Sequence, residues 1–232
     1  MSDQQAAKLC TYKLGSPSPQ AADCGLKSGD LLIAVNGQPF DNEGPSPDER
    51  LRGTRGAALL TYLRGDDKRM VLTRATALGS VTPGPAPSEA DSESARLNPA
   101  VYRNWQVMAH DDGTYDIHTA EPSLLALVLA PVWLIQTRLW VPLALWAGIS
   151  IAVVPTGLTG VIMVQLAMAL YFWQAAPALF RTDRRGQSMH LVGIFAERNE
   201  AALHRRLSAM DSKFRYVFAP ANSEGDKPSE PV

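Results

Sequence analysis

Five side chains between positions 110 and 118, His110, Asp111, Asp112, Asp116 and His118, are of the types that hold a divalent metal or pass protons. They form the one metal-like cluster in the chain. Asp111-Asp112-Gly113 is also the chemistry of a hairpin turn, and that reading is preferred, so no metal ligand is assigned. Cys10 and Cys24 have no Cys-x-x-Cys partner and make no zinc site; they read as small half-buried hydrophobes, reduced in a cytoplasmic setting. His-Glu-x-x-His, Gly-x-Ser-x-Gly and the phosphate-cradling Gly-x-x-x-x-Gly-Lys-Ser/Thr do not occur. The expectation is a chain that is not an enzyme and has no catalytic residue and no cofactor. Arg138, Arg181, Arg184 and Arg185 flank apolar sequence, where cations meet headgroups or simply set topology. Arg198, Arg205 and Arg206 read as a solvated helix face.

The average composition of the 232 residues is ordinary, with 46% hydrophobic, 19% charged and a net charge of -1. That balance excludes a basic chain that coats nucleic acid, and two cysteines exclude a disulfide-stapled scaffold. The distribution is uneven: from Leu139 to Phe180 there is no Asp, Glu, Lys or Arg. A soluble globular chain does not leave such a stretch uncharged.

Seven zones follow from these patterns. Residues 8–78 alternate apolar runs with Gly and Pro, as a small mixed domain does. Residues 79–98 are rich in Pro and Ser and read as a flexible linker. Residues 99–121 hold two alternating runs around Asp112-Gly113, a β-hairpin. Residues 122–137 are apolar but short; Leu124 to Ile135 as a helix reaches roughly 18 Å against a hydrocarbon core of ~30 Å, which suggests an interfacial or re-entrant helix. Residues 138–180 divide at Pro155 into two apolar arms, read as a transmembrane helical hairpin. Its amides, Gln165 and Gln174, suit interhelical hydrogen bonds. Residues 181–219 read as a cytoplasmic strand, helix and strand, and residues 220–232 as disordered.

No signal peptide is evident, and the basic residues flank the hairpin, not its connecting turn. Both termini are therefore expected in the cytoplasm, with Trp133 and Trp140 as interface anchors beside Arg138, Arg181, Arg184 and Arg185. Spans without ionisable groups argue against a proton relay or ion pore.

The run Ser18-Pro19-Gln20-Ala21-Ala22-Asp23-Cys24-Gly25-Leu26-Lys27-Ser28-Gly29-Asp30-Leu31-Leu32-Ile33-Ala34-Val35-Asn36-Gly37 resembles the middle of a PDZ domain. The nearest kind belongs to bacterial membrane-linked proteases, with the pattern Ser-Pro-Ala-x-x-x-Gly-Leu-x-x-Gly-Asp-x-Ile-x-x-Val-Asn-Gly. Gly25, Leu26, Gly29, Asp30, Asn36 and Gly37 carry the match and read as structural residues, with Asp48 to Gly53 as the groove helix. A PDZ domain places a carboxylate-binding loop and a peptide-accepting strand before this motif. Here Lys8 to Gly15 leaves room for one strand, so the resemblance implies a truncated, PDZ-like docking module.

Ala130-Pro131-Val132-Trp133-Leu134, Arg138-Leu139-Trp140, the two arms and Leu191-Val192-Gly193-Ile194 resemble a bacterial inner-membrane family without assigned activity. Together these readings give an α+β, multi-pass protein of the bacterial inner membrane. A PDZ-like, β-rich module, a flexible linker, a transmembrane hairpin and a small cytoplasmic α/β tail compose it. Its expected partners are the lipid bilayer and a larger membrane protein complex, with no nucleic acid, and its role is that of an adaptor or accessory subunit. A peptide-binding regulator of a membrane protease is the alternative; an enzyme or transporter acting at the His110–His118 hairpin is the third.

Overall fold

The computed structural model describes residues 9–87, 96–121 and 124–218. It is α+β, with two sheets and a long apolar helical stretch from Trp140 to Gly186. Two compact units compose it: Met1–Gln106 with Gly193–His204, and Val107–Val192 with Arg205–Val232. The end expected to be disordered, 220–232, lies outside the described residues.

In the first unit β1 (Leu9–Cys10), β2 (Tyr12–Pro17), α1 (Pro19–Asp23), β3 (Leu31–Val35) and β4 (Gln38–Asp41) are followed by α2 (Pro47–Gly53). Then come β5 (Ala58–Arg64), β6 (Asp67–Thr73) and β7 (Gly79–Pro83). The sheet runs β1-β4-β3-β2-β7, and the β5–β6 hairpin joins through β3. β3 and β4 close on the pair Val35 and Gln38. The two residues between them, Asn36 at φ 53 and Gly37 at φ 75, both lie in the left-handed region, which is the two-residue turn whose twist matches its strands. Asn36 also accepts the Leu59 N–H at 2.8 Å, so the turn is tied to β5. Ser46 and Glu49 form a reciprocal capping box on α2, the helix expected from Asp48 to Gly53. Leu14, Leu26, Leu32, Val35, Phe40, Leu51, Leu60 and Leu78 form the core between sheet and helices.

Two sequence expectations change here. The linker read from position 79 begins with a strand, β7, antiparallel to β2. Gly84 to Pro87 continue beside Thr11, and of that linker residues 88–95 lie outside the described residues. The first unit is also not confined to 8–78. Ile194 packs in its core, Ala196 packs with Leu59, Leu72 and Tyr102, and the Arg69 guanidinium lies 5.1 Å over the Phe195 ring.

The second sheet, of order β10-β8-β9-β11, comprises β8 (Arg103–Ala109), β9 (Thr114–Thr119), β10 (His190–Glu197) and β11 (Arg215–Tyr216). A 3-10 turn, Pro99–Val101, precedes it, and α7 (Glu200–Met210) follows β10. In the second unit, the segment read as one interfacial helix is two, α3 (Leu124–Val128) and α4 (Ala130–Gln136). The break at Leu129 falls two residues before Pro131, whose missing N–H is tolerated in the first turn of α4. α5 (Trp140–Val153) and α6 (Gly157–Gly186) pack on each other, and the 3-10 turn Val154–Thr156 joins them. Gly157 at φ 81 takes the bend.

Replacing Gly37 by Ala puts a Cβ at φ 75 and is expected to lower the first unit's unfolding free energy by about 1 kcal/mol. Urea titration in mild detergent, followed by hydrogen exchange at Leu59, reads the loss.

Candidate functional site

The PDZ-like motif residues hold the first unit together from inside. Asp30 is buried and receives a two-pronged guanidinium from Arg64, Nε to Oδ1 at 2.8 Å and Nη2 to Oδ2 at 2.7 Å. Its Oδ2 also accepts the Lys27 N–H, which closes the turn at Gly29, and Arg64 Nη2 donates to the Gly25 carbonyl at 2.8 Å. Leu26 sits in the core. Gly25 and Gly29 have φ of 83 and 93, positions a side chain rarely takes. The Cys24 Sγ lies 3.6 Å from Thr73 Oγ1, and burial pushes its thiol above the ordinary range, as it does for Cys10.

β7 is the edge strand of the sheet, beside β2. Gly84 N–H donates to the Thr11 carbonyl at 2.8 Å, in the register that pairs Lys13 with Thr82 and Leu14 with Val81. Antiparallel alternation then turns the Val81 N–H and C=O, and the Pro83 C=O, away from β2. No strand covers that outer edge among the described residues. Pro83 has no N–H to offer, so the free edge suits only a short extended segment. The start of β7 is fixed: the Leu78 N–H donates to Asp48 of α2 at 2.9 Å, and a Cβ on Gly79 would strike the Ser16 carbonyl oxygen.

The second unit contains a polar cleft of about 360 Å³. Its floor is an ion pair, Arg184 Nε to Asp116 Oδ2 at 2.7 Å, with side chains only 6% and 5% exposed. Arg184 Nη1 donates to Asp183 at 2.8 Å and Nη2 to the Thr137 carbonyl at 3.1 Å, so each of its nitrogens has a partner. His118 stacks on Phe180 with ring centroids 4.6 Å apart, and its Nε2 is buried without a hydrogen-bond partner. Burial, then the charge on Arg184, holds the His118 pKa down to about 4.

Arg184, read from the sequence as a residue beside headgroups, is buried and 5% exposed. Phe172, Ala176, Phe180 and Arg184 recur every fourth residue on the buried face of α6, and that stripe was the signal for its role. Trp133, expected at an interface, is 3% exposed among Ala126, Ala130, Leu134, Leu139, Phe172 and Ala176. Trp140 is 60% exposed, Arg185 is exposed and Arg181 is half-buried. Arg138 lines the cleft at φ 56, its guanidinium 4.6 Å over the Phe218 ring.

The cluster at 110–118 separates. Asp112 accepts the Thr114 N–H in the turn, which holds its carboxyl below the ordinary range, and Asp111 lies 3.6 Å from His190. Asp116 and His118 belong to the cleft. Among the described residues no group of three His, Cys, Asp or Glu is placed to hold a metal ion. No known protein family, curated protein or solved structure matches the chain.

Arg184→Met is expected to cost about 3–5 kcal/mol, because it leaves Asp116 a buried unpaired charge, and Asp116→Asn less, because Arg184 keeps Asp183. Asp116→Leu with Arg184→Met recovers most of that loss in a double-mutant cycle of thermal unfolding. His118 gives a pH dependence of definite sign. The unfolded imidazole takes a proton near pH 6.5 and the folded one only near 4, so stability falls as pH drops through that window. Unfolding midpoints between pH 7 and 4 should flatten in His118→Phe.

Proposed function

We propose that this chain is a non-catalytic adaptor of a bacterial inner membrane, held in the bilayer by α5 and α6, with both termini cytoplasmic, and docking on a larger membrane protein complex. The observation that carries the reading is the free outer edge of β7, a row of backbone groups aimed outward on an interaction-type module. The bilayer part draws on the uncharged arms, whose outward residues Val141, Leu145, Ile151, Leu158, Met163 and Leu166 are all exposed. α6, with 30 residues, reaches about 45 Å, and α5, with 14, about 21 Å before the 3-10 turn lengthens it. Trp140 at one end and Tyr171 beside it are exposed aromatics of the kind that settle at headgroup level.

In mild detergent the tagged full-length chain should retain a protein partner that Val81→Pro loses, since that change removes an outward N–H while the N–H groups turned towards β2 stay in place. A chain that purifies from native membranes as a free monomer ends the adaptor reading.

The second reading, a regulator of a membrane protease that binds peptide C-termini, draws on the same strand, because β7 lies beside β2 with an outer edge that a peptide strand could pair with. Titration with one peptide in free and amidated form separates the two. A reader of C-termini should lose about tenfold or more on amidation, whereas an edge that reads backbone alone binds both equally.

A further inference from the structure

We propose that the cleft where Gln136, Arg138 and His118 meet beside the Arg184–Asp116 pair binds a phosphate oxyanion, carried by a phospholipid headgroup or by a soluble phosphate ester. The charged groups lining the cleft are Asp116, Arg184 and Arg138. Arg184 is fully engaged, by Asp116, by Asp183 and by the Thr137 carbonyl. Arg138 has no carboxylate partner among the described residues; its one contact is the Phe218 ring, which leaves the N–H edges of the guanidinium open. A guanidinium seated over a ring keeps its N–H fork for two oxygens of a phosphate. Arg184 is shared between Asp116 and Asp183, so Arg138 is the cation of the lining left without a carboxylate, and beside it lie the Gln136 amide and a buried His118 Nε2 that lacks a partner. A buried ring nitrogen left unpaired is costly unless a ligand or water answers it.

The backbone marks the same place. Leu139 N–H returns to the Leu134 carbonyl at 2.9 Å and Arg138 N–H to Ile135 at 3.1 Å, the pattern that ends a helix on a left-handed residue. Glycine is the unstrained choice there, yet the position holds Arg138 at φ 56. Which source supplies the phosphate rests on the bilayer reading above. Arg138 immediately precedes the uncharged run and Arg184 follows it, so in a membrane-anchored chain the cleft lies at headgroup depth.

Full-length protein in neutral detergent is titrated with inorganic phosphate and with short-chain phosphatidylglycerol, and retention is read by native mass spectrometry beside Arg138→Gln and Arg138→Gly. Arg138→Gly is expected to lose about tenfold or more in affinity with an unfolding midpoint equal to or above that of the unaltered chain, because the left-handed strain is relieved while the cation is lost. Tighter retention of phosphatidylglycerol than of phosphate assigns the lipid source, and the reverse order the soluble one. Equal binding by the unaltered chain and both variants, or no saturable binding of either probe, overturns the proposal. If alkaline carbonate releases the chain from native membranes while phosphate binding still requires Arg138, the bilayer reading falls and the oxyanion site stands.

Discussion

The second unit is organised around one buried ion pair. Taking a guanidinium and a carboxylate out of water costs several kcal/mol for each ion, and only close, well-directed partners offset it. Arg184 meets that condition through three short contacts, and they fix three elements at once: β9 through Asp116, the end of α4 through Thr137, and its own helix through Asp183. A planar, rigid fork tolerates little change in angle, so the last turn of α6 cannot rotate without stranding a charge. The pair adds geometry more than net stability, which is why a well-packed apolar replacement of both partners should hold the fold while a single replacement should not.

Beyond that fixed end, the apolar arms are built with few polar groups, and two of them meet each other across the arms. Ser150 donates its hydroxyl to the Trp146 carbonyl at 2.7 Å and accepts from Gln165 Nε2 at 2.8 Å. In surroundings without water, such a bond selects one pairing of the arms over its neighbours. The short helices α3 and α4 fill the flank of α6, with Ala126, Ala130 and Ala176 small enough for close approach around Trp133 and Phe172. Their shortness, which ruled them out as spans from the sequence, suits them to this packing role.

What the sequence made legible was local. The helix from Asp48 to Gly53, the turn around Asp112-Gly113 and the two arms each rest on residues within a few positions of one another. What it concealed was long-range. β7 reads as linker because Gly79, Pro83, Gly84 and Pro85 interrupt any alternation, yet its strand character comes from pairing with β2, more than sixty positions earlier. The Arg184 role was half visible, since the four-residue spacing from Phe172 was in the sequence. Its partner Asp116 sits in a short run whose acidic residues read as turn chemistry, so the charge pair could not be matched without the fold.

The least expected feature is that the first unit is not one continuous piece of chain. Ile194 closes against the Gly25 turn, where a Cβ built on Gly25 would lie 3.5 Å from it, and Glu197 accepts the Trp105 indole N–H at 3.3 Å. A segment some 160 residues after the motif thus supplies part of the core that the motif needs. Cutting the chain near residue 95 would remove β1 to β7 and leave Ile194, Phe195 and Ala196 without the surfaces that bury them. Newly bared apolar side chains attract partners of their own. Recognition by this protein is therefore better assigned by changing single outward groups on an intact chain than by deleting the domain that its sequence marks out.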